Sequence, residues 1–288
     1  MTELSYARRG YGPPLVLIHG LGSHWRVWSP ILDTVSRHRD VIALDLPGFG
    51  DSPDWPDPGT APPPRHSAPA YPGAGPEPAG PAPEGSVAHL ADQVAAFLDE
   101  LDVRNPEVAG SSLGGGIALE LGRRGLARGV TAFSPVGFWR TAGRRWCQAV
   151  VGAARAGAVT LSPALPQIMN TRAGRAAFCS LFYAHPVHLP AGDCLAAARA
   201  LAGARGFTTA SNAFGRLAPW NYTNTGALSR IPVTIAWGTR DAVLPYRTQA
   251  RRARTVLPTA RHIPLRGCGH LPFADNPTRC AELLLLNT

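Results

Sequence analysis

The sequence contains no lysine: all 28 of its basic side chains other than histidine are arginine, set against 19 Asp and Glu, for a formal net charge of +9. A positive excess of this size can mark a nucleic-acid-binding chain. Here the arginines are scattered singly or in pairs, as in Arg8-Arg9, Arg123-Arg124, Arg144-Arg145 and Arg251-Arg252. They form no block interleaved with aromatics, and no recognition-helix or RNA-binding signature accompanies them, so no nucleic-acid partner is expected. Arginine in place of lysine, with abundant alanine, glycine and proline, reads as base composition of the coding sequence. No uninterrupted apolar run of about 18 residues occurs, so neither a membrane span nor a membrane partner is expected. Residues 1–12 lack an apolar core and a small-residue cleavage site, so they do not read as a signal peptide, and a cytoplasmic location is the default expectation. The five cysteines are odd in number and show no CxxC pair or metal-ligand spacing, which points to reduced thiols. No His-Glu cluster suggests zinc and no phosphate-binding glycine loop suggests a nucleotide, so no metal or cofactor is expected.

With 45% hydrophobic residues over 288 positions, the chain can bury a large core. Short apolar runs alternate with helical patterns, as βαβ units of a mainly parallel sheet require. Strands are expected at 15–19 (LVLIH), 41–45 (VIALD), 107–110, 130–133, 233–237 (VTIAW) and 262–265. Ser86 is placed to cap a helix whose apolar residues Val87, Leu90, Val94, Phe97, Leu98 and Leu101 recur at helical spacing. A further helix is expected over 114–124. Two segments break the pattern. Residues 53–83 are crowded with proline, glycine and alanine and read as an extended surface insert. Residues 137–228 carry several helical patterns between two strands and are too long for a crossover, which suggests an inserted helical lid. The core is then 1–136 with 229–288.

Gly110-Ser111-Ser112-Leu113-Gly114 fits G-x-S-x-G between a strand and a helix. Such a turn is so tight that the serine takes strained backbone angles, and glycines on either side avoid collisions with strand and helix. Ser112 is the candidate nucleophile, and Ser111 is out of step. A serine hydroxyl needs a base to take its proton, and the base needs a carboxylate to hold its tautomer. Asp241, in Gly238-Thr239-Arg240-Asp241, and His270, in Gly267-Cys268-Gly269-His270-Leu271-Pro272-Phe273, follow in the chain order Ser, Asp, His. Both fall just after expected strands. His19 reads as a buried histidine bonded to backbone, and Asp45 and Asp51 read as turn-formers. Oxyanion donors are expected from the backbone N–H groups of Leu113 and Leu21.

These runs, with His19-Gly20-Leu21-Gly22 and Asp45-Leu46-Pro47-Gly48-Phe49-Gly50-Asp51-Ser52, strongly resemble the α/β-hydrolase fold-1 family of esterases and related hydrolases, in the family's order along nearly the whole chain. The resemblance implies a mostly parallel sheet of seven or eight strands, helices on both faces, an inserted helical cap at 137–228, and nucleophile, acid, base and oxyanion roles for the residues above. The N-terminus is short for the family's first antiparallel strand. Serine at position 112 argues against the haloalkane dehalogenase and epoxide hydrolase branches, which carry aspartate there. Ester, thioester or lactone hydrolysis through an acyl-enzyme is the leading expectation, with carbon–carbon bond hydrolysis or a weakly catalytic ligand-binding homologue as alternatives. The expected partner is a small molecule, and self-association is left open. For the pocket, Phe138 and Trp139 are expected to form an apolar floor that Trp220 and Tyr222 close, although such aromatics equally serve to glue cap to core.

Overall fold

A computed structural model describes residues 4–54, 82–221 and 225–286. The greater part of the proline-rich insert, and Tyr222, lie outside the described residues. Among the described residues seven strands form one sheet: β1 (Tyr6–Arg9), β2 (Pro14–Ile18), β3 (Asp40–Leu44), β4 (Glu107–Ser111), β5 (Gly129–Phe133), β6 (Val233–Gly238) and β7 (Arg261–Leu265). Their spatial order is β1-β3-β2-β4-β5-β6-β7. All neighbouring pairs are parallel except β1 with β3, whose register runs from Tyr6 opposite Leu44 to Arg9 opposite Val41. The short N-terminus therefore does hold an antiparallel edge strand. Its run of Tyr-Ala-Arg-Arg, largely exposed, has none of the apolar alternation that marks a strand.

The inner strands β4, β5 and β6 are buried along their whole length, as expected where helices cover both faces. The period-two alternation divides β2 between two cores. Val16 and Ile18 pack with helices α2 (Val87–Glu100) and α3 (Leu113–Arg123), whereas Leu15 and Leu17 face α1 (Ser29–Val35) and Phe273. Ser86 caps α2 by accepting from the His89 N–H at 3.1 Å. Between β5 and β6 lie α4 (Thr141–Thr160), α5 (Leu165–Asn170), α6 (Arg172–Cys179), α7 (Ala191–Gly203) and α8 (Phe207–Ala213). Leu165, Met169, Cys179, Cys194 and Ala198 form a small core within this segment, separate from the two flanking the sheet. The chain closes with α9 (Tyr246–Val256) after β6, then α10 (Pro272–Asp275) and α11 (Pro277–Leu285) after β7. Among the described residues no helix is long and apolar enough to cross a membrane.

Because the six inner and distal strands run parallel, their carboxyl ends share one edge, and the loops leaving them converge there.

Candidate active site

Ser112 sits between β4 and α3 with φ 56° and ψ −114°, a conformation that costs an ordinary side chain of order 1–3 kcal/mol and is held only by its surroundings. Those surroundings are the end of β5. The Ser112 N–H donates to the Phe133 carbonyl at 2.9 Å, and the Ser112 carbonyl accepts from Val136 and Gly116, both at 3.1 Å. A Cβ on Gly110 would strike the Gly114 carbonyl, and one on Gly114 would strike the carbonyls of Ile18 and His19. Close approach of strand, turn and helix thus demands both glycines. A Cβ on Gly20 would lie 3.1 Å from that of Ser112, which places the Gly20-Leu21 turn directly against the serine.

That turn is held from behind. The Leu46 N–H donates to His19 Nε2 at 2.9 Å, so Nδ1 carries the proton and donates to the Gly20 carbonyl at 2.7 Å. Burial pushes the His19 imidazole down to about 4, which keeps this neutral tautomer. Asp45 is more than a turn-former: its buried carboxylate accepts from the Trp25 N–H at 2.6 Å and the Asp51 N–H at 2.9 Å, tying two loops together. Burial raises its carboxyl pKa in spite of those two N–H groups.

Asp241 follows β6 and is buried. Its Oδ1 accepts from the N–H groups of Val243 and Leu244 at 2.9 and 2.8 Å, while Oδ2 accepts from His270 Nδ1 at 2.8 Å. A carboxylate only accepts, so Nδ1 is the donor and a neutral His270 keeps its lone pair on Nε2. The His270 loop is anchored by a residue that the sequence patterns did not single out. Asp275 Oδ2 accepts from Gly269 N–H at 2.8 Å and Ala184 N–H at 3.0 Å, and Oδ1 accepts from His185 N–H at 3.1 Å. One carboxylate thereby joins the histidine loop to the inserted helices, and the Leu271 N–H adds a bond to the Phe182 carbonyl at 2.9 Å. Asp275 lies three residues past Pro272, and nothing in that spacing points to Ala184 or His185.

Ser112 and His270 line one cavity of about 800 Å³, part of it open to solvent. Leu21 borders it beside Ser112, and Leu113 is the first residue of α3, so its N–H has no acceptor one turn back within the helix. The walls come from the inserted segment: Val151 and Ala154 of α4, Phe178 of α6, Leu201 of α7, and Phe214. Cys147, Cys179 and Cys194 also face it, and burial pushes the Cys147 thiol up to about 12. All five cysteines are free.

The aromatic floor expected from the sequence is corrected here. Phe138, Trp139 and Trp220 do not border the cavity of Ser112. Val136 is bound to the Ser112 carbonyl, and Gly137 at φ 101° then turns the chain toward β6. Phe138 stacks on Trp220 at 6.4 Å and meets Trp237 edge-on at 6.5 Å, while Trp139 packs on Phe214 at 5.1 Å. Phe138 thus joins the inserted segment to β6, while Trp139 and Trp220 pack within that segment.

A twisted, mostly parallel sheet with a serine on a strained strand-to-helix turn, and an Asp-bound histidine at the ends of later strands, defines the architecture of an α/β hydrolase. The comparisons agree. A family model described as alpha/beta hydrolase fold matches residues 13–128. Epoxide hydrolase EphH of Mycobacterium tuberculosis (strain ATCC 25618 / H37Rv) is 32% identical over 208 residues, covering 69% of this chain and 93% of that protein. An uncharacterized protein of the same strain is 28% identical over 298 residues, 96% of this chain and 75% of the other. Among solved structures, bromoperoxidase from Bacillus anthracis superposes with a TM-score of 0.69 at 19% identity, over 98% of this chain and 94% of that one. The chain belongs to the alpha/beta hydrolase fold family.

Proposed function

We propose that this protein is a serine hydrolase that cleaves a small or medium, neutral and apolar ester, thioester or lactone through an acyl-enzyme. The observation that carries this reading is that His270, with Nδ1 bound to Asp241, shares one apolar cavity with a serine in a strained turn. In the proposed cycle His270 Nε2 takes the Ser112 proton as Oγ attacks the carbonyl carbon. The resulting oxyanion is held by the N–H groups of Leu21 and Leu113, a contribution of several kcal/mol in sites of this kind. Collapse expels the alcohol or thiol, which takes the proton from His270. Water, deprotonated by His270, then releases the acid and restores Ser112. Asp241 stabilises the imidazolium formed along the way. Residues 137–228 act as the cap, since their helices supply most of the wall above Ser112 and carry a core of their own. Among the described residues no arginine borders the cavity, which supports an uncharged substrate.

A second reading, opening of an epoxide, is favoured by the name of one relative. Against it stands Ser112, at the position where the resemblance places aspartate in that branch. Turnover of p-nitrophenyl esters of graded chain length, lactones, a vinylogous diketone and styrene oxide separates these readings. Ester or lactone cleavage that falls at least a thousandfold in Ser112→Ala, with no epoxide turnover, is the expected result. Diketone cleavage alone selects the carbon–carbon reading, and epoxide turnover alone overturns the proposal.

A further inference from the structure

On the outer side of the Asp241 loop, a groove open to solvent runs between α4 and α9, apart from the cavity of Ser112. Its floor is Phe138, and one wall carries the indole of Trp146, half exposed and tied by its Nε1–H to the Ala242 carbonyl at 2.9 Å. Arg140, Arg247, Arg251 and Arg252 line it as well. Among the described residues none of these four guanidinium groups has a carboxylate within 4 Å, whereas Arg8, Arg39, Arg123, Arg124 and Arg128 each have one. Arg252 is steadied by donating Nη2–H to the Trp220 carbonyl at 3.3 Å, and among the described residues its buried Nε has no partner.

An independent observation comes from the base of the groove. Gln249 is 2% exposed, and among the described residues both its Oε1 and its Nε2 are buried without a hydrogen-bond partner. Leaving a buried amide unpaired costs about 1–3 kcal/mol, so native proteins seldom do so without a ligand or water to satisfy it. Here the amide lies in a groove carrying four uncompensated positive charges. A single carboxylate would leave most of that charge unbalanced. The planar fork of each guanidinium matches two oxygens of a phosphate, and several forks together match a polyvalent anion.

We propose that the groove between α4 and α9 binds a small phosphorylated molecule, whose charged groups meet Arg140, Arg247 and Arg251 while Gln249 hydrogen-bonds to it from below and its uncharged part lies on Trp146 and Phe138. The site does not depend on the reaction at Ser112. It does touch the machinery proposed there, because Pro245 of the groove follows directly on Val243 and Leu244, whose N–H groups hold Asp241.

Calorimetric titration of the full chain with sodium pyrophosphate at 0.15 M NaCl tests this. One saturable site per chain is expected, weakened at least tenfold in the double variant Arg247→Gln/Arg251→Gln and several-fold in Gln249→Leu. The control pair Arg37→Gln/Arg261→Gln, which removes the same charge from elsewhere on the surface, should bind as the parent does. Absence of saturable binding overturns the site, and so does equal weakening in both double variants, which would mean attraction by net charge only. If Gln249→Leu fails to fold, the exposed arginine pair decides the question alone.

Discussion

Asp275 shows how much a single side chain can organise without touching a reacting atom. Its two oxygens bind three backbone N–H groups, one in the His270 loop and two in the inserted segment. Truncation to alanine frees Gly269 and, with it, the backbone that sets the direction of His270. Displacements of about 1 Å in such groups lower turnover on the order of a hundredfold. Asp275→Ala is therefore expected to lower kcat for a short ester by ten- to a hundredfold, with KM changed much less. Asp275→Asn, which keeps one accepting oxygen, should recover part of the loss. Steady-state kinetics on the two variants checks this, and an unchanged kcat with lowered thermal stability would reduce Asp275 to a purely structural tie. Ser112, Asp241 and His270 could be read from the sequence because each lies in a short glycine-bearing run at the end of an apolar strand. The pairing of Asp275 with Ala184 spans the whole inserted segment, and no local pattern encodes it.

At the level of elements, β2 to β7 were readable as short apolar runs, α2 from the spacing of its apolar residues, and α3 from its place after the Ser112 turn. The antiparallel β1 was not, since an exposed edge strand of Tyr-Ala-Arg-Arg needs only backbone pairing to β3. The cavity walls were missed for a different reason. Sequence continuity led from Phe133 to Phe138 and Trp139, but Gly137 turns the chain away and the space over Ser112 is filled from α4, α6 and α7. Which face of each of those helices looks inward over Ser112 depends on how they pack on one another, which the spacing within a single helix does not encode. Specificity should then reside in the helices rather than in the aromatic joint. Ala154→Phe, which fills part of the cavity from α4, is expected to depress turnover of octanoate esters about tenfold relative to acetate. Phe138→Ala should lower the melting temperature and leave the ranking of acyl lengths alone. A ranking altered by Phe138→Ala but not by Ala154→Phe would return the joint to the pocket.

Across the whole molecule, stability is linked to pH through histidines held neutral. Burial pushes both His19 and His24 down to about 4, with Asp45 partly opposing the shift at His24. In the unfolded chain these groups titrate near 6.5. As pH falls, the unfolded state binds protons first, so their stabilising contribution is complete above about 6.5 and is lost progressively toward 4. Protonation of His19 also ends its ability to accept from Leu46, which loosens the turn that presses on Ser112. The urea midpoint is expected to drop between pH 6.5 and 4.5, and His24→Gln should remove part of that drop, since His19, His89 and His262, also shifted down by burial, share it. A slope unaffected by His24→Gln would assign the acid sensitivity elsewhere. Buried Asp45, whose carboxyl is shifted upward, acts in the opposite sense at lower pH and is unchanged in this comparison.

The central claim is that Ser112 is an activated nucleophile, and covalent labelling tests it most directly. The protein is incubated with a fluorophosphonate, digested, and the modified peptide sequenced by mass spectrometry. One adduct per chain on Ser112 is predicted, slowed strongly in Asp241→Asn and absent in Ser112→Ala. An unlabelled protein, or an adduct formed at the parent rate in Ser112→Ala, would contradict the account.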